Sequence, residues 1–268
     1  MFKQENEKTP WFKEKWIEID NYKVNSLWHC FGNHTHKVDL ETAVRMFATS
    51  ETALLPINTH KLKEKVSQDS FLIGHGDVTL QQFENAYDTS NIVKALNINL
   101  QTTAEDAVKH SIIGKSLTGV NLLKLEVLTE DMHDSNDEEL VKSVSQLRKI
   151  GGYVIMPLIS ANYKVAKELV EEYKCPLLRV MGSSIGSGMG INDQEELRKI
   201  ASLGVPVILD GGIGNVEDFM YGIELGLQGG LINSMLFFEG NPAKSMQIFV
   251  DSLSKYNNPL KKSIVSET

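Results

Sequence analysis

The chain has 268 residues, close to the roughly 250 of one closed α/β barrel, and its 41% hydrophobic and 23% charged residues exclude wholesale disorder. The formal net charge is -8 and the sequence shows no basic stripe, so we expect no nucleic-acid partner. Two cysteines, Cys30 and Cys175, exclude a disulfide framework, and no apolar run approaches the roughly 18 residues of a membrane span. The polar start has no signal-peptide core, so we expect a cytoplasmic protein without a membrane partner.

The first part of the chain is predicted to be a tail followed by a hairpin. Strand-like residues on either side of Asp20 and Asn21 indicate a two-residue hairpin turn. No Pro/Ser-rich linker interrupts the rest of the chain, which indicates a single domain. The predicted boundaries are a polar tail at 1–15, the folded domain with its hairpin at 16–258, and a C-terminal tail at 259–268.

Strand-like runs then alternate with helical patterns eight times. The predicted strands lie near 27–31, 52–57, 91–98, 121–128, 153–158, 176–181, 205–209 and 229–233. The predicted helices lie near 37–48, 78–87, 103–118, 136–149, 162–173, 192–203, 215–225 and 241–256. Each crossover between parallel strands needs a helix, and eight units in this length favour a closed (βα)8 TIM barrel. Residues 58–90 fit this alternation least well.

The fourth predicted strand carries two charged residues, Lys124 and Glu126. Side chains alternate along a strand, so these two share one face, while Leu123 and Leu125 share the other. If the apolar face packs on the helices, the charged pair points into the barrel near its C-terminal mouth, where active sites of this fold lie. A desolvated lysine beside a carboxylate is typical of an amine that forms imines with carbonyl substrates. An ion pair that braces the barrel mouth is the alternative.

The ends of the last three strands suggest an acid–base group and an anion site. Asp210 ends the seventh strand, where it is a candidate acid/base, although it could also cap the next helix. Loops after strands seven and eight of this fold frequently bind phosphate through backbone N–H groups. Turn chemistry alone could account for any one glycine run, but three consecutive strand ends favour a phosphate site. The glycines concerned are Gly182, Gly186, Gly188, Gly190, Gly211, Gly212, Gly214, Gly229 and Gly230.

At these residues the sequence resembles the thiazole synthase family, ThiG. The matching blocks are 103–107, 123–126, 179–190, 205–214 and 232–234, and the resemblance extends over about 91–245. It implies a homo-oligomeric transferase of thiamine biosynthesis that needs no cofactor or metal. Its lysine forms an imine with 1-deoxy-D-xylulose 5-phosphate, and a sulfur-carrier protein with a C-terminal thiocarboxylate delivers sulfur. By position, Lys124 is the imine lysine, and Glu126 and Asp210 transfer protons. The implied phosphate ligands are Gly186, Gly211, Gly212, Asn233 and Ser234.

The chain departs from the family pattern at the ends of the first five strands. Family members carry a Thr-Gly-Thr-Gly-Lys run at the first strand and a Lys-Arg pair after the second, where this chain has different residues at 29–33 and 58–60. The family's Pro-Asn-Thr at the third strand and Pro-Tyr at the fifth are likewise changed, at 96–98 and 157–158. This pattern leaves two further hypotheses beside the thiamine one. The first is a paralogous thiosugar or natural-product synthase that uses a different sugar phosphate. The second is a degenerate barrel that binds a sulfur-carrier protein as a scaffold.

Two other barrel families stay open at this point. His34 and His36 form an H-x-H pair, as in metal-dependent amidohydrolases, but the further ligands expected after strands five, six and eight are missing, and a metal site needs a full set. A flavin-binding barrel uses similar phosphate loops but gives Lys124 and Glu126 no role.

Overall fold

A computed structural model describes residues 10–33, 35–63 and 65–256 of the chain. It begins with a short helix, α1 (Trp11–Glu14), and a two-stranded antiparallel hairpin of β1 (Trp16–Ile19) and β2 (Tyr22–Asn25). Asp20 takes a positive φ of 55° at the turn, as the hairpin prediction requires. The first nine residues lie outside the described part of the chain, as do the last twelve, which include the whole predicted C-terminal tail at 259–268.

Helix α1 lies inside the stretch that was predicted to be a polar tail. Trp11 and Phe12 are buried, and the Phe12 carbonyl accepts a hydrogen bond from the Ser26 hydroxyl at 3.1 Å. The two aromatic side chains provide enough apolar surface to hold this segment on the barrel, although charged residues surround them in the sequence. The folded domain therefore begins earlier than predicted.

Eight parallel strands form a nearly closed barrel, and a helix follows each of them. The strands are β3 (Leu27–His29), β4 (Leu54–Asn58), β5 (Val93–Ile98), β6 (Leu122–Leu125), β7 (Val154–Ile159), β8 (Leu178–Val180), β9 (Val207–Asp210) and β10 (Gly229–Ile232). The helices are α2 (Leu40–Ser50), α3 (Leu80–Ala86), α4 (Ala104–Thr118), α5 (Asp137–Ile150), α6 (Tyr163–Glu171), α7 (Gln194–Ala201), α8 (Val216–Glu224) and α9 (Pro242–Lys255). This order confirms the (βα)8 prediction, with element ends within a few residues of those expected.

Each barrel helix begins where a polar side chain accepts a hydrogen bond from a backbone N–H group of its first turn. Such caps satisfy N–H groups that have no partner within the helix, so they fix the point where each loop gives way to helix. The capping residues are Asp39, Thr79, Thr103, Asn136, Asn162, Asp193, Asn215 and Asn241. None of the helices described is both long and apolar enough to cross a lipid bilayer.

Two apolar layers hold the barrel together. The larger lies between the strands and the helices, and the smaller fills the N-terminal half of the barrel interior. Ile17, Ile19 and Val24 of the hairpin belong to the inner layer together with Trp28 of β3, so the hairpin plugs the lower end of the barrel. The charged interior described below therefore lies only toward the upper, C-terminal mouth.

The barrel is least regular where its first two strands meet. In the described residues β3 and β4 share no strand pairing, and Asn25 at the end of β2 connects their lower ends instead. Its Nδ2 donates to the Glu51 carbonyl at 2.8 Å, and its Oδ1 accepts from the Ala53 N–H at 3.0 Å. One amide side chain thus replaces ladder hydrogen bonds at this seam.

Candidate active site

One cavity of about 580 Å³ opens at the C-terminal mouth of the barrel. It collects side chains and loops from strands on all sides, as expected for the functional end of this fold. The eight residues to which the family resemblance gives a catalytic or phosphate-binding role all line it: Lys124, Glu126, Asp210, Gly186, Gly211, Gly212, Asn233 and Ser234. The structure therefore brings the proposed reactive groups and the proposed phosphate loops into one space.

Lys124 reaches this cavity because β6 alternates strictly between its two faces. Leu123 and Leu125 belong to the outer apolar layer, whereas Leu122 belongs to the inner one, so the side chain of Lys124 points into the barrel. Its exposed fraction is 3%, and its Nζ donates to Oε1 of Glu126 and, at 3.1 Å, to Oδ1 of Asn97. The inward orientation predicted for Lys124 and Glu126 is what the barrel shows.

Asp210 completes the acidic side of the site. It ends β9, and its Oδ2 lies 4.0 Å from Nζ of Lys124. Two carboxylates thus face one amine. Among the described residues, Glu126 accepts hydrogen bonds only through Oε1 and Asp210 only through Oδ2. The second oxygen of each carboxylate is left for a molecule that enters the cavity.

Arg179 is a part of the site that was not predicted from the sequence. It lies on β8, is completely buried, and does not itself line the cavity. Its Nε donates to Asp210 Oδ2 and its Nη2 to Glu126 Oε1, both at 2.7 Å. Its Nη1 donates to the carbonyls of Met156 at 3.2 Å and Leu125 at 3.4 Å. The guanidinium therefore lies behind both carboxylates and ties four neighbouring strands together.

The two cations control the charge of Glu126. Burial alone would raise the pKa of its carboxyl, but the Lys124 ammonium and the Arg179 guanidinium hold that pKa below its usual value. Burial likewise opposes the charge of Arg179, yet the carboxylates of Asp210 and Glu126 raise its pKa. Glu126 is therefore ionised at neutral pH and suited to accept a proton rather than to supply one.

The glycine loops after β8 and β9 fit against each other with no room for side chains. A Cβ at Gly212 would lie 2.2 Å from Oγ of Ser183 and 2.4 Å from the Gly190 carbonyl. The Gly190 N–H donates to the Gly212 carbonyl at 2.7 Å, and the Gly182 N–H donates to the Gly211 carbonyl at 3.2 Å. Since Gly212 also has a φ of +86°, only glycine fits at this position without strain.

The third loop, after β10, adds Ser234 and Asn233 to the same wall. A Cβ at Gly186 would lie 3.6 Å from Oγ of Ser234, so the loops after β8 and β10 meet at this point. In the part of the chain that is described, the N–H groups of Gly186 and Gly212 donate to no protein acceptor. The Asn233 side chain, in contrast, is already bonded to Gly32 through both its Nδ2 and its Oδ1. Its side-chain amide is therefore not available to a ligand, and its backbone carbonyl accepts from the Leu236 N–H at 3.0 Å.

Opposite these loops the cavity has a wall of amide side chains. Asn97 Nδ2 donates to Asn58 Oδ1 at 2.7 Å, and Asn58 Nδ2 donates to the Gly74 carbonyl at 2.9 Å. Asn99 lines the cavity beside them, and its buried Oδ1 accepts no hydrogen bond from the described residues. Asn58 begins one of the stretches that depart from the thiazole synthase pattern, 58–60, whereas Asn97 keeps the asparagine of the family's Pro-Asn-Thr and only its neighbours differ.

The histidines near the first strand that the structure describes, His29 and His36, are not part of a metal-ligand group. His36 is exposed and its Nδ1 lies 2.9 Å from Oγ1 of Thr35, while His34 falls outside the described residues. His29 faces away from the cavity, with Nε2 2.9 Å from Oγ of Ser50. Over residues 10–33, 35–63 and 65–256, no three His, Cys, Asp or Glu side chains are grouped as metal ligands. Nothing in this region supports the amidohydrolase alternative.

Comparison with known proteins points to one family. The family model described as thiazole biosynthesis protein ThiG matches residues 45–254. A thiazole synthase of Frankia casuarinae is 31% identical over 147 residues, which cover 54% of this chain and 43% of the relative. A thiazole synthase of Chlorobium limicola is 30% identical over 159 residues, which cover 59% of this chain and 61% of the relative. The chain thus spans about half of the length of these curated relatives.

Solved structures share the architecture. The Amycolatopsis orientalis BexX/CysO complex contains a chain that matches with a TM-score of 0.76 and 21% identity, over 89% of this chain and 92% of that one. A thiamine phosphate pyrophosphorylase from Pyrococcus furiosus matches with a TM-score of 0.53 and 17% identity, over 85% of this chain and 96% of that one. At these identities the likeness shows the barrel fold alone.

Proposed function

Because the chain belongs to the thiazole biosynthesis protein ThiG family, we propose that it is a sulfur-incorporating synthase whose Lys124 forms an imine with a phosphorylated ketose. One observation carries this proposal. The amine of Lys124 is buried between two carboxylates in a cavity whose other side is built from two glycine-rich loops and the loop after β10. An ion pair that only braces the barrel would need neither the cavity nor the loops.

The first step joins the lysine to the substrate. The neutral amine of Lys124 attacks the ketone carbon, and the resulting carbinolamine loses water to give the imine. The protons that leave the nitrogen and join the departing oxygen need nearby acid–base groups, and Glu126 and Asp210 lie within reach of that nitrogen. The same carboxylates are placed to remove a proton from the carbon next to the imine, which the imine makes more acidic.

The substrate phosphate would be held by the loops after β8, β9 and β10. Gly186, Gly211 and Gly212 supply backbone that an anion can approach closely, and Ser234 adds a hydroxyl and begins a short 3₁₀ helix at Ser234–Phe237. For Asn233 we propose a contact through its backbone only, since its side chain is bonded to Gly32. A net negative chain can bind an anion in this way because the contacts come from the backbone.

The first candidate substrate is 1-deoxy-D-xylulose 5-phosphate, and the pathway is thiamine biosynthesis. The amide wall favours a second candidate, a paralogous synthase that uses a sugar phosphate with additional hydroxyl groups. Asn99 lines the cavity with a buried side-chain oxygen that has no partner among the described residues, and a sugar hydroxyl would satisfy it. Asn58 and Asn97 are already bonded to each other and hold this wall in place. The two candidates differ only in the sugar and share the lysine chemistry.

Sulfur would come from the C-terminal thiocarboxylate of a small carrier protein. Moving a proton from the hydroxyl-bearing carbon next to the imine to the imine carbon would turn that hydroxyl group into a new carbonyl group and leave the lysine attached as an amine. The sulfur would then take the place of the new carbonyl oxygen, and that oxygen would leave on the carrier as a carboxylate. BexX, whose barrel resembles this one, forms a complex with CysO, which supports a protein partner for this chain as well. Met189 and Phe238 are exposed apolar side chains, and Phe238 also lines the cavity, so they offer a docking place beside its entrance.

The decisive test measures covalent capture of the substrate. Purified protein is mixed with pentulose and hexulose phosphates, reduced with borohydride and examined by intact-mass spectrometry, with the modified residue located by peptide mapping. We expect a mass gain of one reduced sugar phosphate on Lys124, and the sugar that reacts identifies the substrate class.

Lys124→Ala is expected to abolish the mass gain, and Lys109→Ala, which removes an exposed lysine, is its control. Adducts that persist in Lys124→Ala would refute the assignment. A wild-type protein that captures none of these sugars, but binds the carrier protein, would favour the scaffold hypothesis instead.

A further inference from the structure

Four charged side chains meet beneath the cavity. Lys124 and Arg179 carry positive charges, and Glu126 and Asp210 carry negative ones, so the group is neutral when all four are ionised. Both cations share the same oxygen of Glu126, and Arg179 also binds the oxygen of Asp210 that faces Lys124. Arg179 keeps its charge under all ordinary conditions because a guanidinium does not deprotonate in proteins.

We propose that Arg179 is a positioning residue that orients both carboxylates and cancels one of their two charges, so that Lys124 can lose its proton and react. This inference rests on the proposed imine chemistry for its purpose. It concerns a residue that cannot meet the substrate, because Arg179 is fully buried and does not line the cavity. Its effect must therefore pass through Glu126 and Asp210.

The geometry explains how one side chain can orient two carboxylates. The planar guanidinium presents its N–H groups in a fixed fork, and here Nε and Nη2 point to different acids. Nη1 is fixed by the carbonyls of Leu125 and Met156, so the fork cannot turn freely. One oxygen of Glu126 and one of Asp210 are thereby held by the guanidinium, so that neither carboxylate can rotate without breaking a hydrogen bond.

The charge balance explains why a cation is needed at this position. Without Arg179, Lys124 would face two carboxylates alone, and their combined field would hold its proton. Opposite charges within about 4–6 Å shift a pKa by roughly 1–3 units. Cys30 adds no further negative charge near neutral pH, since burial raises the pKa of its thiol to about 11. The remaining titratable side chains that line the cavity, on loops after β3, β4 and β6, are His36, His75, Asp131 and His133.

The test measures the protonation of Lys124 without any substrate. The full-length protein is labelled with a trace of acetic anhydride over a pH series, then fully acetylated with the deuterated reagent, and the ratio at Lys124 is read by peptide mass spectrometry. The exposed Lys109 in the same samples serves as internal reference. The proteins compared are wild type, Arg179→Met, Arg179→Lys and Glu126→Gln, each checked for folding by circular dichroism.

We expect the labelling midpoint of Lys124 to rise by roughly 1–3 pH units in Arg179→Met, and to stay nearer the wild-type value in Arg179→Lys. In Glu126→Gln, which keeps Arg179 and removes one negative charge, the midpoint should fall. A folded Arg179→Met with an unchanged midpoint overturns the inference, as does an equal rise in Arg179→Lys. Should Arg179→Met not fold, an unchanged midpoint in Glu126→Gln overturns it.

This experiment separates the inference from the proposed function. Acetylation needs no imine, so it reports on Arg179 even if no sugar phosphate is captured. Absence of any borohydride-trapped adduct in the wild type refutes the imine, whereas unchanged midpoints with normal capture refute only the role given to Arg179. If the imine forms and Arg179 has the role proposed here, imine capture at neutral pH should be at least about tenfold slower in Arg179→Met. A rise of one pH unit in the midpoint lowers the fraction of neutral amine by that factor.

Discussion

The side chain of Asn233 forms two hydrogen bonds with the backbone of Gly32: Nδ2 donates to its carbonyl at 3.0 Å, and Oδ1 accepts from its N–H at 2.9 Å. Asn233 follows the last barrel strand and Gly32 follows the first, so this pair joins the two ends of the chain's β/α sequence at the mouth. The residue expected from the sequence to bind phosphate is thus also a structural link.

Asn233→Ala should lower the free energy of unfolding by about 1–3 kcal/mol, because it leaves the N–H and C=O of Gly32 without their partners. Urea denaturation followed by circular dichroism measures this. Asn192→Ala, which alters an exposed loop asparagine, should leave the midpoint unchanged. Full stability in Asn233→Ala would show that the two hydrogen bonds are dispensable.

Glu126→Gln should still form the reducible adduct on Lys124 but slow complete turnover by at least about 100-fold, the usual contribution of a general acid or base. The amide keeps the shape of the side chain and cannot accept the proton that later steps release. Turnover is measured with the sugar identified by mass spectrometry. Glu130→Gln, on the exposed surface four residues further, is the control; wild-type turnover in Glu126→Gln would remove its proposed role.

Gly212→Ala should raise the KM for the sugar phosphate roughly tenfold or more, equivalent to about 1.4 kcal/mol of lost binding. The new Cβ would collide with Ser183 and Gly190 and force the two phosphate loops apart. Gly204→Ala is a matched control, since Gly204 has a similar φ of +81° but nothing within 4 Å of its Cβ position. Equal losses in both variants would assign the effect to backbone strain rather than to displacement of the loops.

Acid should destabilise the fold through His29. Burial lowers the pKa of this imidazole to about 4 from the usual 6.5. Between pH 6.5 and pH 4, His29 is therefore protonated in the unfolded chain but neutral in the folded protein. The contribution of His29 to the free energy of unfolding is therefore fully present above pH 6.5, and it declines by about 1.4 kcal/mol per pH unit as the pH falls toward 4.

His29→Gln should remove that part of the slope, measured as the free energy of unfolding at several pH values. Ser50→Ala takes away the hydrogen-bond partner but keeps the buried imidazole, so the slope should remain. A slope in His29→Gln as steep as in the wild type would contradict this account.

Much of the architecture follows from local patterns in the sequence. The apolar alternation on β6 correctly predicts that Lys124 and Glu126 point inward, because the strand has only two faces and the helices cover one. The same rule applies to Arg179, which stands between Leu178 and Val180 on β8. A charged residue flanked by apolar neighbours on a barrel strand is thus a signal for an interior cation, although no role was predicted for Arg179.

Other parts of the site depend on contacts between distant segments and have no local signal. The segment around Leu72 turns back on the end of β4 through isolated bridges to Asn58 and Thr79 rather than through a regular strand. Its position is fixed by burial of Phe71 and Ile73 and by these irregular bridges, which follow no repeating pattern of apolar residues. The apolar residues of such a segment follow neither the strand nor the helix period, which is why residues 58–90 fit the predicted alternation least well.

The close fit of the glycine loops has a consequence for substrate choice. In the proposed mechanism, loops that fit this closely would keep the phosphate of the substrate at a constant distance from the nitrogen of Lys124. The number of carbons between the phosphate and the carbonyl group would then be the first property that selects a sugar. Groups beyond the carbonyl would be free to vary, and cavity side chains at the ends of β4 and β5 would change to suit them without altering that distance.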